Sequence, residues 1–157
     1  MMPFLSASPQ HLRSMTVVET WYQVLASRFV LSTVQIDQKC ISWQISHPDV
    51  SSINVIIKSH LHRETGNVEI LPIHFDITPA LWVSTVPAYN QLWPRHVTPN
   101  YMMLMGIDNQ TFFVLSNNPS TFESQHKQEV LELLQLWEYN SSYKTPEVTY
   151  TTSHCVH

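Results

Sequence analysis

The chain has 157 residues, 43% of them hydrophobic and 13% charged, a length and balance that suit one domain with its own core and argue against wholesale disorder. A formal charge of -4 with only eight Lys plus Arg leaves no basic footprint for a phosphate backbone, which excludes nucleic acid as an expected partner. No run approaches the roughly 20 apolar residues needed to cross a bilayer, so the chain is not expected to span a membrane.

The first stretch, "MMPFLSASPQHLRSM", contains Pro3, Pro9 and His11 and lacks a continuous apolar centre, unlike a secretory signal. Residues 1–15 therefore read as an N-terminal extension, open to disorder, and residues 16–157 as the domain. From there, short segments rich in Val, Ile, Thr and aromatics recur at roughly ten-residue spacing, the pattern of an antiparallel barrel or sandwich. Strands are expected at 19–26, 36–46, 53–62, 68–78, 80–87, 100–107 and 110–116. The segment "NQLWPRHVT", Asn90 to Thr98, supplies a further strand that Pro94 limits to an edge-like or bulged element. Turn chemistry separates them in "HPD" at 47–49, "RETGN" at 63–67 and "GIDNQ" at 106–110.

Alternation assigns faces. In "LPIHFDIT", Leu71, Ile73, Phe75 and Ile77 share the apolar face, with His74 and Asp76 opposite. The same phase turns Ile41, Trp43, Ile45, Val55, Ile57, Leu81, Val83 and Thr85 inward, and Cys40 and Trp82 outward. Asp76 and Glu69 are read as solvated carboxylates on polar faces. His60 and His62, two apart on one strand face, do not form a zinc pattern, and no metal or other cofactor is expected among the nine histidines.

One segment is a strong helix. "STFESQHKQEVLELLQLWEYN" starts with Ser120 and Glu123 at capping-box spacing after Pro119. Phe122, Val130, Leu133, Leu134 and Trp137 then make an apolar stripe, which predicts a helix over about 121–138 docked outside the sheet. Met102, Met103 and Met105 are read either as an adaptable binding surface or, preferably, as filler under that helix. An extended piece around "EVTYT" follows.

This order, with the stretches "ETWYQVLASRF" (Glu19 to Phe29), "KCISWQI" (Lys39 to Ile45), "INVIIKS" (Ile53 to Ser59), "PNYMMLMG" and "FFVLSNNPSTFES", resembles the lipocalin family. Within it the stretches are most similar to the apolipoprotein D, bilin-binding and bacterial lipocalin branch. The signature motifs are degraded: Glu19 stands where the opening Gly-x-Trp-Tyr unit has glycine, "RHVTPNY" lacks the Thr-Asp-Tyr motif, and Asn117 replaces an arginine that stacks over the opening tryptophan. The resemblance implies an all-β fold, an eight-stranded antiparallel up-and-down barrel with one C-terminal helix outside. It implies structural roles at the barrel base for Trp21 and Asn117, and a disulfide between Cys40 and Cys155. Two unrelated thiols are the other reading of that pair. A bridge favours a secreted protein, as do the glycosylation triplets at Asn109 and Asn140.

The implied function is binding or transport of one small hydrophobic molecule, such as a fatty acid or other lipid, retinoid, steroid or tetrapyrrole, without catalysis. Its expected contacts are Phe29, Trp43, Ile45, Val55, Ile57, Ile73, Phe75, Leu81, Val83 and Thr85. Phe29 and Leu31 would form a lid over the mouth, and Trp43 either stacks on a flat ligand or fills volume. A filled barrel acting through its outer surface is the alternative. An enzyme reading lacks an inward thiol and any recognisable nucleophile and base set.

Overall fold

The computed structural model describes residues 17–61, 67–140, 142–150 and 155. The extension at 1–15, His62, the turn residues 63–66 and Thr151 lie outside the described residues. Nine strands appear in chain order: β1 (Glu19–Ser27), β2 (Gln38–Asp49), β3 (Ser52–Leu61), β4 (Val68–Ile77), β5 (Trp82–Val83), β6 (Gln91–Val97), β7 (Tyr101–Gly106), β8 (Phe112–Ser116) and β9 (Pro146–Val148). A short helix α1 (Arg28–Thr33) follows β1. The C-terminal helix comprises α2 (Pro119–Thr121), a π-helical turn at Phe122–His126, and α3 (Lys127–Leu136).

Each of the first eight strands pairs antiparallel with its neighbours, and β1 closes the ring by pairing with both β2 and β8. The ninth strand is an addition. Past Tyr22, β1 leaves β2, and its Leu25–Ser27 end takes β9 as partner instead. The result is a closed eight-stranded barrel with one extra strand and a C-terminal helix outside.

Two cores share the sheet. The inner one fills the barrel with Trp21, Trp43, Phe75, Trp82, Tyr89, Phe113 and aliphatic neighbours. The outer one lies between β1, β7, β8 and the helix, and contains Tyr101, Met103, Met105, Phe112, Val114, Phe122, Val130 and Leu134. Strands β7 and β8 are therefore buried on both faces, which is why "YMMLM" and "FFVL" read as continuous apolar runs rather than alternating ones. Met103 and Met105 are filler under the helix, while Met102 turns into the barrel.

Cys40 and Cys155 form the disulfide, with Cα atoms 5.5 Å apart, closing a sequence separation of 115 residues. Such a closure contributes on the order of 4 kcal/mol in the chain-entropy treatment. It straps the C-terminal tail to the outer core.

Two local expectations are corrected. The strand expected at 80–87 is only Trp82–Val83, and its phase is inverted. The tight turn in which Thr78 N donates to Leu81 O (2.9 Å) brings Trp82 opposite inward Ile77 and Val83 opposite outward Asp76. Trp82 is accordingly buried against Phe75, ring centroids 5.6 Å apart. Second, the helix is capped by Asn118 instead of Ser120. The Asn118 side chain accepts from Thr121 N at 3.2 Å, and Pro119 occupies the position where a missing N–H costs nothing. Glu123 faces Lys127 at 3.3 Å and does not reach back to the cap. The edge-like or bulged strand expected around Pro94 is present: β6 pairs with β7 with a register shift between Pro94 and His96, and with β5 only at Gln91 and Leu92. The proline's missing donor is therefore tolerated at a locally free edge.

Candidate functional site

The end of the barrel reached by the C-terminal half of β1 and the start of β2 is covered by α1. Ser27 caps this helix by accepting from Val30 N at 3.3 Å, and Arg28 anchors it outside through Glu147 at 3.0 Å. One turn later the chain delivers Gln35 into the interior, where it is 1% exposed. A reciprocal amide pair forms there: Gln23 Nε2 donates to Gln35 Oε1 at 2.8 Å, and Gln35 Nε2 donates to Gln23 Oε1 at 3.1 Å. Gln35 also donates to the Tyr89 hydroxyl at 3.0 Å, and Trp43 Nε1 donates to Gln23 Oε1 at 3.1 Å.

This network carries its own apolar packing. The Tyr89 ring stacks on Phe113 at 5.4 Å, and Trp43 meets both rings at 5.2 and 6.0 Å. Burial pushes the Tyr89 phenol up to about 12, with the Gln35 hydrogen bond opposing in part. Buried polar groups are tolerated when hydrogen-bonded, and these four side chains bond one another. They plug the middle of the barrel.

Above the plug lies a cavity of about 310 Å³, lined by Val34, Gln38, Ile57, Ser59, Glu69, Ile70, Leu71 and Tyr89. Its walls depend on a β-bulge. Between Lys39 and Ser42 strand β2 holds one residue more than β3, and Cys40 takes φ 52° there. The extra residue flips the phase. Gln38 before it and Ile41, Trp43 and Ile45 after it therefore all serve the interior, while Cys40 turns to the outer core. Ser59 Oγ donates to Gln38 Oε1 at 3.2 Å.

Glu69 corrects its expected place. It pairs in register with the buried Ser59 and shares the parity of Leu71 and Ile73, so it belongs to the inward phase and lines the cavity. Glu69 is exposed at the rim and is, among the described residues, the single charged side chain in the lining.

Among the expected contacts, Ile57 lines this cavity. Ile45, Val55, Ile73 and Phe75 are buried in the inner core, and Trp43 is wholly buried with its ring against Tyr89 and Phe113. Val83 is half-buried and Thr85 exposed, as the inverted phase of β5 requires; Leu81 is half-buried in the turn before it. Phe29 packs edge-on against Tyr143 at 6.5 Å, because helical geometry gives the inward position to Val30. Leu31 packs against the inner core from the same helix.

At the other end, Trp21 pairs with Trp43 and is buried, whereas the Asn117 amide donates to Pro99 O at 2.9 Å and pins the turn before β7. His74 points outward, bonded to Asn54 at 2.7 Å and to Asp76 at 3.3 Å. Among the described residues no three His, Cys, Asp or Glu side chains converge, and no helix is long and apolar enough to cross a membrane.

Gln23, Gln35, Gln38 and Tyr89 were not visible as site residues in the sequence. Gln38 is displaced by the bulge, and the others are polar residues whose burial depends on partners far along the chain. The turn-like "PAYN" before β6, with Ala88 at φ 73°, is the one local signal for Tyr89.

No family model matches the sequence, and no curated protein matches it. Solved structures do match. The siderocalin Ex-FABP, described as functioning through dual ligand specificities, superposes with a TM-score of 0.62 at 15% identity, over 89% of this chain and 98% of that one. The major allergen Per a 4 from cockroaches gives 0.60 at 15% identity, over 87% and 86%. Japanin from Rhipicephalus appendiculatus, solved bound to cholesterol, gives 0.57 at 8% identity, over 88% and 97%. At such identities the likeness speaks to architecture: the chain has a lipocalin-like eight-stranded barrel fold.

Proposed function

We propose that the protein binds one small, largely hydrophobic molecule in the cavity at the covered end of its barrel, without catalysis. The observation that carries this reading is the 310 Å³ space walled by Val34, Ile57 and Leu71 and floored by Tyr89. Its size lies at the small end of the range for ligand clefts, about 300–1,000 Å³, and its lining combines apolar Val34, Ile57, Ile70 and Leu71 with polar Gln38, Ser59, Glu69 and Tyr89. The polar plug beneath it shortens the usable depth, which favours a compact ligand over a long acyl chain or a tetrapyrrole. The cholesterol in the japanin structure is said of japanin; it supports the general idea of a hydrophobic guest in this fold.

We further propose placement near the apolipoprotein D branch and life outside the cell. The bridged Cys40 and Cys155 support an oxidising compartment. Asn109 and Asn140 are exposed, as glycosylation acceptors must be.

A filled barrel that works through its outer surface remains the second reading, favoured by the Trp43–Gln23–Gln35–Tyr89 plug. Native mass spectrometry against a panel of small apolar compounds separates the two. The cavity reading expects a one-to-one complex that Leu71→Trp, by filling the space, abolishes without unfolding the protein. Absence of any saturable complex in the unmodified protein would sink it and leave the surface reading.

A further inference from the structure

The cavity has an electrostatic asymmetry. Among the described residues Glu69 is the only charged one in the lining, and none of the described lining residues is basic. Among the described residues Glu69 forms neither an ion pair nor a side-chain hydrogen bond. Of its lining neighbours, Ser59 donates instead to Gln38 Oε1, and the Tyr89 hydroxyl accepts from Gln35 in the plug. A carboxylate at the rim of a partly enclosed space favours positive charge entering that space and disfavours negative charge. Fatty acids and other anionic amphiphiles would bring like charge against it.

Resting on the reading of this cavity as a ligand site, we propose that its ligand class is a small organic cation: a primary or secondary amine on a compact aromatic or short aliphatic body. The ammonium donates charge-assisted hydrogen bonds to the Glu69 carboxylate. The body lies between Val34, Ile57 and Leu71, over the Tyr89 ring. Volume sets the scale. At about 30 Å³ per water, the cavity replaces roughly ten waters, which suits a single fused or substituted ring with a short side arm. The walls provide burial, and the carboxylate selects charge.

Calorimetric titration of the full chain with three compounds of nearly equal shape tests this: tryptamine, its neutral alcohol analogue tryptophol, and the anion indole-3-acetate. The expected order is amine, then alcohol, then acid, with the amine preferred over the alcohol by about two- to fivefold, the magnitude of an exposed charge pair. In Glu69→Gln, whose rim position does not support the core, that preference falls to near unity, read as the ratio of amine to alcohol affinity within the variant. Two results overturn the proposal. If amine and alcohol bind equally to the unmodified protein, or the acid binds best, the cavity reading stands and the charge assignment fails. If none of the three binds and the uncharged panel also fails by native mass spectrometry, the cavity reading fails with it.

Discussion

Tyr89 is the residue that joins the plug to the cavity, since its ring floors the space and its hydroxyl takes the Gln35 hydrogen bond. Its phenol is held at about 12 by burial, against about 10 in an unfolded chain. A raised folded value means that the folded state keeps the proton more tightly. The associated stability is therefore fully present below pH about 10 and is lost as pH rises toward 12. Tyr101, Tyr139 and Tyr150 are shifted up as well, so the contribution of Tyr89 is read by difference. Tyr89→Phe should cost about 1 kcal/mol at neutral pH, the value of one buried hydrogen bond. Denaturant unfolding followed through the alkaline range should then show that the gap between variant and parent shrinks. A gap that stays constant would place the Tyr89 phenol in an ordinary environment.

At the scale of elements, the helix start is a sharp test of which local signal governs. Ser120 and Glu123 have the spacing of a capping box, and so the sequence points to a start two residues too late. The cap belongs to Asn118, because Ser116 and Pro119 shape the chain before the first turn. Asn118 N donates to Ser116 Oγ at 3.1 Å, and the Asn118 side chain then meets Thr121 N. Asn118→Ala should lose about 1 kcal/mol and Ser120→Ala close to nothing, measured by chemical denaturation; the reverse order would restore the capping box. The far end of the helix is fixed differently. The Arg95 guanidinium from β6 lies 3.9 Å from the Trp137 ring and 4.9 Å from that of Trp93, a cation-to-ring clasp. Most elements were legible because strand and helix periods are local properties. The phase of β5 and the inward position of Gln38 were not, because each depends on a turn or a bulge that shifts register by one residue.

For the whole molecule, the sequence pattern carried the barrel, the outside helix and the bridge, since strand count, one amphipathic stripe and cysteine placement survive small register errors. The site carried over less well. Ile57, one of the expected contacts, does line the cavity, but Glu69 and Tyr89 reach it only when strands far apart in sequence close into a ring. That ring holds two cores on opposite faces of one sheet, and their independence can be measured. Ile45 is buried in the inner core and Val130 in the outer one, with no residue common to the two clusters. Ile45→Val should cost about 1 kcal/mol, and Val130→Ala somewhat more because it removes two methyl groups. Side chains without shared partners behave additively to within about 0.5 kcal/mol. The double variant should therefore lose the sum of the two and still unfold in one transition, because β1, β7 and β8 are walls of both cores and neither can melt alone. Tryptophan fluorescence reports chiefly on the barrel interior and far-ultraviolet circular dichroism on helix and sheet together. Separate midpoints from these two signals would mean that the helix and its core come away before the barrel opens.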